Sequence, residues 1–141
     1  HIGHDSRVGN DTILVNNTAL AGHVEVGDWA ILSGYTLVHQ FCKIGAHSFS
    51  GMGTSIGKDV PAYITVAGSP AEAKTINVEG LRRRGFDSAE IAALRRAFKI
   101  LYRQSLTLDA AVERLQAMAA ETPSLQPLID SLMQSQRGIV R

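Results

Sequence analysis

A single cysteine, Cys42, stands in 141 residues, so no intramolecular disulfide can form. That usage carries no sign of an oxidising compartment, and the expected location is the cytoplasm. No apolar run is long enough for a membrane span and no signal peptide is visible, so neither insertion nor export is expected. Aromatic residues make up only 6% of the chain, which suits a narrow interior filled by smaller aliphatic side chains. The formal net charge is only +1, and the basic stretch lacks interleaved aromatics. Both points argue against nucleic acid as a partner. An initiator Met is also missing, and the chain opens within a repeat at His1. It therefore reads as a segment of a longer protein with further repeats before it.

What is present is a period of six. Ile2, Val8, Leu14, Leu20, Val26, Leu32, Val38, Ile44 and Ile56 fall on one beat, broken only by Ser50. Four places after each beat stands a small or β-branched residue, from Ser6 and Thr12 through Cys42 and Ser48 to Thr54 and Val60. Hexapeptide periods belong to parallel β-helices, in which short strands and turns wind into a coil. Three hexads make one triangular coil, so residues eighteen apart stack at about 4.8 Å. Cys42 then points inward as a small buried residue. The expected class is mainly β with α, with coils over residues 1–68.

The beat is lost after Pro61, and Val66 to Ala71 reads as the exit from the coil. Residues 69–85 are expected to form a substrate-binding loop and linker, with 72–85 as loop. Residues 86–141 then change to a helical period and predict a small domain of three helices. Asp87 and Glu90 make a capping box for a helix to about Gln104, with Ile91, Leu94, Phe98 and Leu101 inward. Thr107 caps a second, with Leu108, Val112 and Leu115 inward. Thr122-Pro123 starts a third, with Leu125, Leu128, Ile129, Leu132 and Met133 inward. The side of the coil or a neighbouring subunit would cover these faces.

Charge is uneven along the chain. Residues 82–103 carry seven cationic residues (Arg82, Arg83, Arg84, Arg95, Arg96, Lys99 and Arg103) against Asp87 and Glu90. Such a run is either a solvated helix face or a landing site for an anion, such as a nucleotide diphosphate or an acidic carrier protein. The adjacent triplet Arg82-Arg83-Arg84 favours the second reading, because its members repel one another unless an anion compensates.

All five histidines precede residue 50. Stacking by eighteen puts Gly3-His4-Asp5, Ala21-Gly22-His23 and His39-Gln40-Phe41 at one corner of successive coils. His4, Asp5, His23, His39 and Gln40 then share a column roughly 10 Å tall, with His1 at its border. One exposed turn histidine is ordinary, whereas three in a column point to a binding or catalytic groove. His47 lies off this column and reads as a surface or turn residue.

The chemistry open to such a corner is general-base catalysis. His4 can take a proton near neutral pH, and Asp5 can hold or polarise an imidazole. Gly22 stacks on His4, so its N–H can approach a reacting carbonyl and stabilise an oxyanion. No serine or outward cysteine offers a nucleophile, which favours direct attack by a substrate hydroxyl. Zinc is the competing possibility, since histidines on stacked coils can ligate a metal. The mixture with Gln and Gly and the lack of a compact ligand motif argue against it.

At these residues the chain closely resembles the acyl-acyl carrier protein–UDP-N-acetylglucosamine O-acyltransferases. The segments that carry the likeness are His1-Ile-Gly-His-Asp5, Leu20-Ala-Gly-His-Val24, Val38-His-Gln-Phe-Cys42, Ile44-Gly-Ala-His47 and Asn77-Val-Glu-Gly-Leu-Arg-Arg-Arg-Gly-Phe86. The resemblance extends over essentially the whole chain. It implies a left-handed parallel β-helix, an exception to right-handed crossovers, followed by a helical domain, in a homotrimer with sites between subunits. His4 matches the base that deprotonates the glucosamine 3-hydroxyl, Asp5 follows it, and Gly22 matches the oxyanion donor. His1, His23, His39 and Gln40 match residues lining the substrate site. Asn77, Glu79, Arg83 and Arg84 match the loop that holds the nucleotide sugar, the arginines being suited to phosphate. The implied donor is a 3-hydroxyacyl thioester on acyl carrier protein, an acidic partner for Arg95, Arg96 and Lys99. The reaction is the first step of lipid A synthesis, and it brings no metal or cofactor.

Met52 matches the family's ruler at the end of the acyl groove. It lies 48 residues beyond His4, a climb of roughly 13 Å at strand spacing. An extended alkyl chain covers that distance in about ten carbons at about 1.25 Å each, given tetrahedral C–C bonds. A 3-hydroxydecanoyl donor is expected. The bland alternative is a methionine packed between coils. Rival functions are the later N-acyltransferase of the same pathway, a zinc-dependent trimer of the carbonic anhydrase type, and a non-catalytic scaffold. The Asn77–Phe86 loop speaks against the first.

Overall fold

The computed structural model describes residues 1–141. Nine two-residue strands wind into a triangular prism: β1 (Arg7–Val8), β2 (Ile13–Leu14), β3 (Ala19–Leu20), β4 (Glu25–Val26), β5 (Ile31–Leu32), β6 (Leu37–Val38), β7 (Lys43–Ile44), β8 (Phe49–Ser50) and β9 (Ser55–Ile56). A longer strand, β10 (Ile64–Ala67), continues the last coil. β1, β4 and β7 make one parallel face, β2, β5, β8 and β10 a second, and β3, β6 and β9 the third. Partners stand eighteen residues apart, as Arg7 on Glu25 and Leu20 on Val38. From Leu20 onward the six-residue beat marks the inward positions, with Leu20, Leu32, Val38, Ile44 and Ile56 buried, as is Cys42 on the second period; Ile2 and Val8 are exposed. Ser50 points inward too, and its hydroxyl pairs with Thr36 Oγ1 at 2.8 Å, which satisfies both buried groups.

Turns occupy three corners: residues 4–5, 22–23 and 40–41 at the first, 10–11, 28–29, 46–47 and 62–63 at the second, and 16–17, 34–35 and 52–53 at the third. The second turn residue is left-handed, with φ of 56–72° at Asp5, Asp11, Asn17, His23, Trp29, Tyr35, Phe41, His47 and Tyr63. Left-handed backbone is uncommon for side chains other than Asn, Asp and His. Here each such turn is tied to the next coil, as by His23 N–H donating to the His4 carbonyl at 2.9 Å. These side chains stack into columns, one along each corner. Gly53 takes the same position in the third column with φ 75°.

Three expectations need correction. The coil shortens before Pro61, not after it, for Ile44 pairs with Val60 and Ser50 with Val66, sixteen residues apart. Asp59 anchors the short coil: its carboxylate accepts from Lys43 N at 2.8 Å and from Ser135 Oγ at 2.6 Å. Residues 72–85 are not a loop. A turn at Gly68 to Ala71 reverses the chain, β11 (Glu72–Ile76) pairs antiparallel with β10, and α1 (Val78–Arg83) follows. Met133, expected inward, is exposed.

The first two C-terminal helices follow the predicted caps, whereas Thr122 makes no capping hydrogen bond and the third helix starts later, at Gln126. α2 (Ser88–Tyr102) carries the Asp87–Glu90 capping box, and α3 (Leu108–Ala119) is capped by Thr107. A short turn at Pro123–Leu125 leads into α4 (Gln126–Gln134). These elements seal the last coil, with Ser131 Oγ accepting from Ala62 N at 3.0 Å and Tyr63 donating to the Ser124 carbonyl at 2.7 Å. No helix is long and apolar enough to cross a membrane.

Candidate active site

The first corner gathers the predicted imidazoles. His4 Nδ1 lies 3.0 Å from Asp5 Oδ2, and His23 Nε2 lies 3.8 Å from the same oxygen. The hydrogen bond from His4, helped by the His23 charge, holds the Asp5 carboxyl below the usual carboxylate range. An ionised Asp5 can only accept, so His4 donates its Nδ1–H to Oδ2 and the neutral tautomer leaves Nε2 free as a base. The rings form a stack, with His4 edge-on to His23 at 5.1 Å and His23 parallel to Phe41 at 4.8 Å. His4 lies directly on Gly22, where a Cβ would come 2.7 Å from its Nε2. The Gly22 N–H makes no hydrogen bond within the chain. Amides at this turn position are often free, as at Gly34, but at Gly22 the Cβ position lies against an imidazole.

His39 and Gln40 stand one coil further on. His39 Nδ1 lies 3.1 Å from the Gln40 carbonyl, and the exposed Arg137 reaches it from the C-terminal segment at 3.4 Å. Arg137, His23, Phe41 and Lys43 line a groove of about 450 Å³ beside this corner. His1 is exposed, and its ring makes no hydrogen bond to the cluster.

Asn77, Glu79, Arg83 and Arg84 meet at a different place, in a groove of about 500 Å³ with Ile31 and Phe49 on its floor. Asn77 caps α1, its Oδ1 accepting from Gly80 N at 3.2 Å. Arg83 pairs with Glu79 at 3.4 Å. Arg84 lies over Trp29, 5.2 Å from the ring centre, and donates to His47 Nδ1 at 3.0 Å. The arginine triplet is thus partly compensated from within, which the sequence reading did not foresee. His47 is likewise not a plain surface residue. It is half-buried in the second column between Trp29 and Tyr63, with the edge of Phe86 against it.

Met52 sits on the third corner and is 79% exposed, so it packs between no coils of its own chain. The three predicted groups therefore occupy three corners of one prism. Sequence reasoning missed Phe41, Trp29, His47 and Arg137 as parts of these sites. The eighteen-residue ladder Asp5–His23–Phe41 and Asp11–Trp29–His47 held the signal for the first three. Arg137 comes from 98 residues beyond His39, with no local pattern to announce it.

The donor set also bears on metals. One ligand atom from each of His4, Asp5 and His23 lies within 4.8 Å of the others. A divalent cation is therefore a geometric alternative to a base with its orienting carboxylate.

Comparison with known proteins places this geometry. The family described as UDP-N-acetylglucosamine O-acyltransferase, domain 2, matches residues 59–140. The acyl-[acyl-carrier-protein]–UDP-N-acetylglucosamine O-acyltransferase of Ectopseudomonas mendocina is 67% identical over the whole chain, which covers 55% of that relative. The Pseudomonas entomophila enzyme is 66% identical over the same span. Among solved structures, the UDP-N-acetylglucosamine O-acyltransferase of Moraxella catarrhalis superposes with a TM-score of 0.96 at 42% identity, over 98% of this chain and 54% of that one. The Acinetobacter baumannii counterpart gives 0.96 at 45% identity, over 98% and 54%. The chain spans about half the length of the curated relatives it matches. With the stacked imidazoles, the Asn77–Phe86 segment and these likenesses in agreement, the chain belongs to the UDP-N-acetylglucosamine O-acyltransferase family.

Proposed function

We propose that the protein carrying this chain transfers a 3-hydroxyacyl group from acyl carrier protein to the 3-hydroxyl of UDP-N-acetylglucosamine, the first step of lipid A synthesis. The observation that carries the reading is the His4–Asp5–Gly22 arrangement in a chain 67% identical to a named acyltransferase. His4 Nε2 takes the hydroxyl proton as the sugar oxygen attacks the thioester carbonyl. The Gly22 N–H meets the oxyanion of the tetrahedral intermediate. Collapse expels the carrier thiolate, and His4 returns the proton to sulfur. No acyl-enzyme forms, since Cys42 is buried and burial pushes its thiol pKa up.

His1, His23, His39 and Gln40 line the reacting end, while Asn77, Glu79, Arg83 and Arg84 hold the nucleotide sugar, the arginines at its diphosphate. Met52 closes the acyl groove. Because these groups lie on different corners of one chain, each complete site is shared between copies of a homotrimer. The exposed apolar side chains Ile13, Val15, Tyr35, Leu37 and Met52 support that assembly, since water otherwise meets them on and beside the third corner. The basic outer face of α2, with Arg95, Arg96 and Lys99, suits the acidic carrier. A lone, reduced Cys42 fits a cytoplasmic site of action.

The test is to incubate the full-length protein with UDP-N-acetylglucosamine and 3-hydroxydecanoyl carrier protein and identify the product by mass. A 3-O-acylated sugar nucleotide, formed equally well after exhaustive chelation, supports the reading. Loss of activity on chelation, restored by zinc, would favour the metal alternative offered by His4, Asp5 and His23.

A further inference from the structure

His47 touches both ends of α1. Its backbone carbonyl accepts from Asn77 Nδ2 at 3.1 Å, at the helix N-cap. Its ring Nδ1 lies 3.0 Å from Arg84 Nη1, at the C-cap. Asn77 and Arg84 are seven residues apart on a six-residue helix, yet one histidine of the coil pins them both. The carbonyl is available because the left-handed turn (φ 61°) turns it away from strand pairing. Nearby contacts fix the ring itself. It stacks between Trp29 at 6.3 Å and Tyr63 at 5.4 Å, with Phe86 edge-on at 5.4 Å.

Elementary hydrogen-bond bookkeeping then sets its state. Arg84 has donors only, so the nitrogen facing it must present a lone pair. His47 is therefore neutral, with its proton on Nε2. Burial first, and the Arg84 charge second, hold its pKa at about 4, against a smaller opposing pull from Asp28. A side chain locked neutral in this way is a poor proton-transfer catalyst at neutral pH but a good fixed acceptor.

We propose that His47 is a positioning residue: its carbonyl and Nδ1 aim Asn77 and Arg84 together at the nucleotide sugar, so that the groove opposite the catalytic corner is set before the ligand arrives. The proposal rests on the reading of Asn77 and Arg84 as acceptor-binding residues. With one Nη committed to His47 and the guanidinium over Trp29, Arg84 is held in place at the wall of the groove it lines. Fixing an arginine beforehand lowers the ordering cost of binding.

The experiment uses the full-length enzyme and calorimetric binding of UDP-N-acetylglucosamine, with steady-state kinetics beside it. His47→Phe keeps the stacked ring and removes the Nδ1 acceptor. Phe41 holds the equivalent left-handed turn position at φ 67°, so the backbone accepts that residue. His47→Leu serves the same end should the larger ring not fit. His47→Asn restores an acceptor near the place of Nδ1. Loss of one charge-assisted bond predicts roughly tenfold weaker binding and a higher KM for the sugar nucleotide, with kcat and the donor KM within about twofold. His47→Asn should recover most of the loss. On an Arg84→Ala background, His47→Phe should cost nothing further, because the acceptor has no donor left to hold.

Unchanged affinity in His47→Phe, equal losses in the Phe and Asn variants, or additive losses with Arg84→Ala would each overturn the proposal. A wild-type enzyme that fails to bind UDP-N-acetylglucosamine would overturn the functional reading and this inference with it. Wild-type binding that His47→Phe leaves intact overturns the inference alone.

Discussion

A methyl group on Gly22 would stand 2.7 Å from both Cε1 and Nε2 of His4, so the imidazole keeps its seat only because residue 22 has no side chain. The proposed site uses both the free N–H of Gly22 and the bare face on which the imidazole rests. Gly22→Ala should leave the coil intact and displace the imidazole. Displacement of a base by about 1 Å costs on the order of a hundredfold. The check is kcat with UDP-N-acetylglucosamine in excess, alongside an unchanged circular dichroism spectrum. Full activity would show that His4 does not act from this position.

Met52 is the most exposed of the large apolar side chains, as expected for a residue that meets something outside its own chain. Met52→Gly should extend the preferred donor from ten carbons towards longer chains, at about 1.25 Å per added carbon. Competition between 3-hydroxyacyl carrier proteins of different length, read by product mass, measures this. Unchanged selectivity would remove Met52 from the acyl groove.

Leu37 lies on the outer surface of β6, 51% exposed, beside the exposed ring of Tyr35. A charge placed there has no counter-ion across an apolar contact between copies and carries a desolvation cost. The proposed homotrimer with shared sites therefore predicts that Leu37→Glu shifts the full-length protein from trimer to monomer in sedimentation, with parallel loss of turnover. A monomer that kept full activity would refute the shared site.

Acid stability follows from His47. The folded protein holds this imidazole at about 4, against an ordinary value of 6.5. The unfolded chain takes up the proton first, so the stability due to the neutral ring is complete above pH 6.5 and falls as pH drops towards about 4. The charged groups facing the ring are Arg84 from the end of α1 and Asp28 from the coil beneath. Allowing for its partly exposed ring, the effect is on the order of 1–2 kcal/mol. Denaturant titrations at pH 7 and pH 4 should show a loss in the wild type that His47→Asn lacks. Equal slopes in the two proteins would contradict this.

The coil was legible because its period of six is repeated ten times, and from Leu20 to Ile56 every beat residue is buried. The same arithmetic placed His4, Gly22 and His23 at one corner. It failed at Val60, where the coil drops two residues, because Asp59 is held by Ser135 and Lys43. Contacts of that kind, made across 76 residues, leave no mark on local hydropathy. The strand at 72–76 was missed because it pairs antiparallel on an edge and half of it stays wet. His47 sits in a turn off the first column, as expected, but its half-buried place in a second column was not read from the sequence. Trp29, eighteen residues before it, marks a second column that the same rule finds, whereas Tyr63 follows by only sixteen, where the coil is shortened.

The most direct test of the central claim is turnover by His4→Ala in the full-length enzyme, supplied with 3-hydroxydecanoyl carrier protein and UDP-N-acetylglucosamine. A general base at Nε2 predicts that kcat falls by roughly a hundred- to ten-thousand-fold while binding of the sugar nucleotide persists. Turnover close to wild type, or acylation at a nitrogen in place of the 3-hydroxyl, would contradict it.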